Sequence, residues 1–89
     1  MASVKKTIVV ASKQGLHARP AAVFVQIANK YESTVTVTRN SERVNGKSIM
    51  GILMLGAEQG SEITIEADGK DAEAVMVELE RVVGKEELT

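Results

Sequence analysis

Three stretches of the chain alternate apolar and polar residues with the period of two that is typical of half-buried strands. These stretches are VKKTIVVAS at residues 4–12, STVTVTRN at 33–40 and SEITIEA at 61–67. The RNS sequence at 39–41 is a turn signal, and it predicts a hairpin that leads into a short strand around Arg43 and Val44. The pattern therefore predicts four strands.

Between the first two strands the apolar period changes to that of a helix. One apolar stripe follows the spacing i, i+3, i+4 and i+7, and it consists of Phe24, Ile27, Ala28 and Tyr31. Pro20 suits the opening turn of such a helix, where its missing N–H costs nothing. We therefore expect the helix to begin at or beside His17.

Two further helices are predicted from their boundary residues. In NGKSIMGILML, Ser48 is a good N-cap and Gly56 a good stop, which predicts about two turns that Gly51 should weaken. In DGKDAEAVMVELERVVGK, Asp71 is the expected cap and Gly84 the expected end. The predicted core stripe of this last helix is Val75, Leu79 and Val82.

The resulting order, βαββαβα, predicts an α+β fold of the split βαβ type, an open-faced β-sandwich. Its four-stranded sheet should be mostly antiparallel, with three helices on one face and a polar face in water. Residues 1–89 are expected to form a single domain, because the length suits one modest core.

Composition excludes several classes of function. The chain has no cysteine and a single histidine, so we expect neither a metal site nor a cofactor. Eleven basic and twelve acidic residues, with one phenylalanine and one tyrosine, do not suit a nucleic-acid binder. No stretch is long and apolar enough for membrane insertion, and we expect a cytoplasmic protein.

The only histidine and the only proline lie three residues apart, at the predicted start of the first helix. A helix N-terminus offers unpaired N–H groups and a partial positive charge, which favour a bound anion and a neutral imidazole. Arg19 could bring a guanidinium to phosphate oxygens. Together His17 and Arg19 indicate a covalent phosphoryl acceptor, although a histidine that only caps the helix or packs near Pro20 would also fit.

The helix after Ser48 is apolar nearly all round. If Ile52 faces the sheet, then another side carries Met50, Leu53 and Met54. An exposed, methionine-rich surface would suit docking to several partners, whereas a deeply buried helix is the alternative.

Two motifs resemble the HPr family, the histidine-containing phosphocarriers of the bacterial phosphoenolpyruvate-dependent sugar phosphotransferase system. GLHARPA at 15–21 resembles the active-site motif of the family, and VNGKSIMGILMLGA at 44–57 resembles its regulatory serine segment. The resemblance implies that His17 accepts a phosphoryl group on Nδ1 from enzyme I and donates it to enzyme IIA domains, with Arg19 beside the phosphate. It implies that HPr kinase/phosphorylase modifies Ser48 and that partners bind on Ile49, Met50, Leu53 and Met54.

The resemblance has further implications for regulation and class. A phosphate on Ser48 should weaken binding to enzyme I with little change in fold, and in such members this form also acts as corepressor of a catabolite control transcription factor. The protein would be a monomeric carrier and not an enzyme. Two alternatives stay open at this point: a nitrogen-related branch of the system, and a docking module of the same fold in which His17 is never phosphorylated.

Overall fold

The computed structural model describes residues 3–84, and the predicted order of strands and helices is confirmed. In chain order the elements are β1 (Ser3–Val9), α1 (Ala18–Asn29), β2 (Thr34–Arg39), β3 (Glu42–Asn45), α2 (Ile49–Leu55), β4 (Glu62–Asp68) and α3 (Ala72–Gly84).

The four strands form one sheet in the order β1-β4-β2-β3, and all three neighbouring pairs are antiparallel. In this register Val9 lies opposite Glu62, and Thr64 lies opposite Thr38. The end of β1, the start of β4 and the end of β2 therefore lie at one end of the sheet. The chain leaves β1 toward His17 at this end.

Alternation along the strands separates an apolar from a polar face of the sheet. Val35, Val37 and Ile65 are buried against the helices. On the opposite face the hydroxyls of Thr7 and Thr64 lie 3.1 Å apart across β1 and β4. The sheet thus has one face in the core and one polar face.

The three helices bury their apolar residues against the first of these faces. Phe24 is the largest fully buried side chain, and Ile52 and Leu55 are the buried residues of α2. In α3 the predicted stripe is correct for Val75 and Leu79, whereas Val82 is only half-buried. The other buried residues of α3 are Ala72, Met76 and Val83. The buried positions 75, 76, 79 and 83 follow the 3.6-residue period, which places Val82 at the margin of the stripe.

Asp71 lies directly before α3, as the sequence predicts for a cap, but its carboxylate is bonded elsewhere. It accepts hydrogen bonds from the backbone N–H groups of Glu32 and Ser33, each at 2.9 Å, and from the Ser33 hydroxyl. These bonds stabilise the carboxylate and lower the pKa of Asp71, with the Ser33 hydroxyl as the largest cause. Asp71 therefore fastens the start of α3 to the loop between α1 and β2.

A second link between α1 and α3 lies beside this loop. The Tyr31 hydroxyl donates to the carboxylate of Glu78, and this bond lowers the pKa of Glu78 and raises the pKa of Tyr31. Lys30 Nζ lies 3.6 Å from the same carboxylate. The end of α1 is thus held to α3 by polar contacts as well as by the core.

Among residues 3–84, none of the helices combines the length and apolar character that crossing a membrane requires.

The Asp71 contacts predict acid sensitivity. Because the pKa of Asp71 is lower in the folded protein than in the unfolded chain, its stabilising contribution is fully present above about pH 4 and is lost as the pH falls toward the folded pKa. We expect Asp71→Asn to lower the urea concentration at the midpoint of unfolding at pH 7. The variant should also show a smaller difference than the wild type between the midpoints at pH 7 and pH 3. The matched control is Asp68→Asn at an exposed position. A difference as wide as in the wild type would contradict this role of Asp71.

Candidate functional site

His17 occupies the N-cap position of α1, with extended backbone angles of φ −124° and ψ 164°. Its side chain makes no capping hydrogen bond, and the residue is half-buried. The structure therefore does not support the alternative in which the imidazole serves as a helix cap.

The first turn of α1 offers few backbone donors to an anion near His17. Pro20 has no N–H, and the N–H of Ala21 bonds to the His17 carbonyl at 3.4 Å. The donors left in the turn are those of Ala18 and Arg19. The Arg19 side chain is exposed, so its guanidinium can reach an anion at the helix start.

Ala18 has a left-handed backbone, with φ of +48°. This conformation costs a residue with a Cβ on the order of 1–2 kcal/mol, and it falls directly after the histidine. The sequence contains no signal for it, because an alanine after a histidine is normally compatible with a helix. The surrounding contacts must hold this turn in place.

Those contacts begin with the segment before His17. The N–H of Leu16 donates to the Ala57 carbonyl at 2.8 Å, and the Leu16 side chain is buried. Gly15 has φ of +68°, and a Cβ on it would lie 2.5 Å from the Ala57 carbonyl oxygen. Only glycine fits this close approach. The segment carrying His17 is thus pressed against the chain that follows α2.

The other end of the same loop is held by three more hydrogen bonds. The Val10 carbonyl accepts from the N–H of Gly60 at 2.8 Å, and the N–H of Ala11 donates to the Val83 carbonyl at 2.9 Å. The Gln59 side-chain amide donates to the Ala11 carbonyl at 3.1 Å. With both ends anchored, the loop holds the backbone at His17 in a set position.

Helix α2 has the boundaries that the sequence predicts. The Ser48 hydroxyl accepts from the N–H of Gly51 at 3.1 Å, and Gly56 ends the helix with φ of +65°. The structure explains why position 51 is a glycine, which the sequence did not indicate. A Cβ there would lie 3.2 Å from the Asn45 carbonyl oxygen and from Val44 Cβ, so glycine allows α2 to pack closely on β3.

One face of α2 is apolar and exposed, and we call it the α2 patch. Met50 and Met54 are 63% and 70% exposed. The other two members, Ile49 and Leu53, are exposed to a lesser degree. The alternative of a deeply buried helix is therefore wrong, since only Ile52 and Leu55 enter the core.

The candidate site residues are arranged along helix α2 and the segment bonded to its C-terminal side. The Leu16–Ala57 hydrogen bond joins the His17 segment to the C-terminal side of α2. Ser48 lies at the opposite end of this seven-residue helix, roughly 10 Å away along its axis. The α2 patch lies between the two ends of the helix. At the C-terminal end, Arg39 Nη1 donates to the Leu55 carbonyl at 3.4 Å. The Leu16–Ala57 hydrogen bond thus links the segment before His17 to the end of α2 that lies opposite Ser48.

Within residues 3–84, no three His, Cys, Asp or Glu side chains are grouped closely enough to hold a metal ion.

Comparison with known proteins identifies relatives over most of the chain. The family model described as "PTS HPr component phosphorylation site" matches residues 4–85. The phosphocarrier protein HPr of Neisseria meningitidis serogroup A is 48% identical over 73 residues, which is 82% of each chain.

Solved structures are similar in the same way. The HPr of Bacillus anthracis has a TM-score of 0.89 at 44% identity and covers 93% of this chain and 99% of its own. The Bacillus subtilis catabolite repression protein Crh, described as a domain-swapped dimer, has a TM-score of 0.74 at 43% identity and covers 86% of this chain and 88% of its own.

The approach of Gly15 to Ala57 predicts a local requirement for glycine. Gly15→Ala should lower the free energy of unfolding by at least about 2 kcal/mol, since it adds left-handed strain to a backbone clash. Gly60→Ala is the matched control, because Gly60 also has positive φ, +91°, but a Cβ there would meet no atom within 4 Å. Urea denaturation measures both. Equal losses would show that the contact with Ala57 contributes nothing.

Proposed function

The chain belongs to the HPr family of phosphocarrier proteins of the phosphotransferase system, and we propose that His17 is the residue on which it carries the phosphoryl group. The observation that carries this proposal is the placement of an imidazole with no capping bond at the start of α1. There the partial positive charge of the helix favours a bound phosphate.

The chemistry proposed for His17 is a transfer between two histidines. The lone pair of Nδ1 attacks the phosphorus of the phosphohistidine on enzyme I, the new N–P bond forms, and the N–P bond to enzyme I breaks. Nε2 keeps its proton throughout. The same step then runs from His17 to an enzyme IIA domain, so the protein is a carrier and not an enzyme with its own turnover.

Arg19 is proposed to steady the phosphoryl group after transfer. It is exposed in the first turn, two residues from His17, and a guanidinium pairs well with phosphate oxygens. Because this turn offers few backbone N–H donors, a side-chain cation can supply hydrogen bonds to the phosphate that the backbone does not. A carrier must also release its cargo, and an exposed, screened arginine suits moderate stabilisation.

The α2 patch is proposed to be the surface on which enzyme I and the enzyme IIA domains dock. It adjoins the His17 segment through the Leu16–Ala57 contact, so a partner seated on it has its own histidine near His17. Exposed methionines adapt to partners of different shape. This supports one surface that serves both donor and acceptor.

Ser48 is proposed to be a regulatory phosphorylation site for HPr kinase/phosphorylase. Its hydroxyl lies at the N-terminus of α2, where added negative charge is tolerated by the helix. The charge would lie beside Ile49 and Met50 of the patch, and it would weaken docking of enzyme I through desolvation and repulsion. The phosphorylated form is then available to a catabolite control transcription factor.

We propose that the working form is a cytoplasmic monomer, because one chain contains the acceptor, the cation and the docking surface. Crh, a relative at 43% identity, is described as a domain-swapped dimer. We propose that the protein serves sugar uptake, in the sugar branch of the phosphotransferase system. The nitrogen-related branch is the alternative.

Arg19 gives a test of the proposed phosphate contact. Removal of a hydrogen bond to a charged group costs about 1.5–3 kcal/mol, so we expect Arg19→Ala to slow phosphoryl transfer roughly 10- to 100-fold and Arg19→Lys to slow it less. Rapid-quench transfer from phosphorylated enzyme I measures the rate. The control is Arg43→Ala on β3. If Arg19→Ala transfers at the wild-type rate, Arg19 has no part in holding the phosphate.

The docking proposal predicts a selective change in affinity. Met50→Asp should raise the KM of enzyme I for this protein about tenfold or more, since a central apolar contact is worth over 1 kcal/mol. Val77→Asp is the matched control, because Val77 is also half exposed on a helix but lies on α3. Steady-state transfer kinetics give both values. Equal KM values for the two variants would place the docking surface elsewhere.

A further inference from the structure

Lys47, the residue before Ser48, is held through three of its own groups. Its ammonium Nζ donates to the Tyr31 carbonyl at 2.7 Å, and its N–H donates to Asn45 Oδ1 at 2.9 Å. Its carbonyl accepts from the side-chain amide of Asn29 at 3.1 Å. We call the bonds from Asn29 to Lys47 and from Lys47 to Tyr31 the Lys47 clamp.

The clamp joins the approach to α2 with the end of α1. Tyr31 lies just past α1, one residue beyond Lys30, the C-cap residue of that helix. The bond from the Lys47 ammonium to the Tyr31 carbonyl is charge-assisted. The lysine side chain therefore fastens the chain just past α1 from a distant segment.

Asn29 contributes the second half of the clamp. Its side-chain nitrogen donates to the Val25 carbonyl at 2.9 Å within α1 and to the Lys47 carbonyl. Both N–H groups of the amide are thus in use, and the side chain is held in one orientation. The backbone between Lys47 and Ser48 is fixed relative to α1 by this bond.

We propose that Asn29 and Lys47 are positioning residues for the modification of Ser48, an inference that rests on the proposed regulatory function of that serine. They hold the peptide before Ser48 so that its hydroxyl stays in one place at the start of α2. The ammonium of Lys47 is already bonded to Tyr31, so its contribution is to position the serine and not to contact the nucleotide. The two residues act through the same peptide and should give the same phenotype.

The step that they assist is an ordinary phosphoryl transfer. Ser48 Oγ attacks the γ-phosphorus of ATP held by the kinase, and its hydroxyl proton passes to a base of the kinase. The new O–P bond forms as the bond from the γ-phosphorus to the β-phosphate bridging oxygen breaks, and ADP leaves.

The expected effect appears in KM. When a substrate populates the competent geometry only in part, its apparent dissociation constant rises by the inverse of that fraction. If release of the clamp leaves roughly a tenth to a fifth of molecules competent, the KM for the protein substrate rises about five- to tenfold while kcat changes little. The variants should therefore bind the kinase more weakly, while the rate of phosphoryl transfer in the bound complex stays the same.

The experiment measures phosphorylation of Ser48 by purified HPr kinase/phosphorylase with ATP. Asn29→Leu and Lys47→Met should both raise KM about five- to tenfold, and Lys47→Arg should restore most of the loss because it keeps a cationic donor for the Tyr31 carbonyl. The controls are Gln26→Leu, exposed on α1, and Lys70→Met, whose side chain is 83% exposed. Charging by enzyme I should be unchanged in all of these variants.

Amide hydrogen exchange provides the second readout. The N–H groups of Ser48 and Ile52 should exchange faster in Asn29→Leu and Lys47→Met, while those of β4 keep their wild-type protection. General loss of protection would instead show that the substitutions unfold the protein, and would overturn a role confined to this segment.

Two other outcomes distinguish the levels of the proposal. If the wild type is phosphorylated on Ser48 and both variants keep its KM, or if Lys47→Met alone is impaired, the positioning role is wrong and the regulatory site stands. If the wild type gains no phosphate on Ser48, the proposed regulation fails and the inference fails with it.

Discussion

The hydrogen bond from Leu16 to Ala57 determines how the rest of the functional surface is arranged. It joins the segment before the first helix to the segment after the second, with Gly15 allowing a backbone approach that a Cβ would block. This contact ties the segment that carries the histidine to the chain that follows α2. A carrier must meet a donor and an acceptor in turn, and we propose that the α2 patch serves both.

Helix α2 has two different sides in seven residues. Its buried side, Ile52 and Leu55, fastens it to the core, and its exposed side carries Met50 and Met54. Its two ends have different neighbours: the His17 segment at one end and the Lys47 clamp at the other. In the proposed regulation, a charge on Ser48 would act on the α2 patch from the end opposite to the His17 segment, without any need for a change of fold.

Much of this could be predicted from local pattern. The order of elements and the boundaries of α2 at Ser48 and Gly56 follow from period and capping chemistry, which are properties of neighbouring residues. The pattern leaves the exposure of Met50 and Met54 open, and the structure decides it. What could not be predicted depends on residues far apart in the chain. The Asp71 bonds to Glu32 and Ser33, the Lys47 bond to Tyr31 and the left-handed Ala18 arise only when the helices pack together, and no spacing in the sequence encodes them.

Intact-mass measurement decides whether His17 takes the phosphoryl group. The wild type and His17→Ala are incubated with enzyme I and phosphoenolpyruvate, weighed, and weighed again after brief acid treatment, which cleaves phosphohistidine and spares phosphoserine. The wild type should gain one acid-labile phosphoryl group, and His17→Ala should gain none. An equal gain in the variant, or no gain in the wild type under conditions that charge a known carrier, would contradict this role of His17.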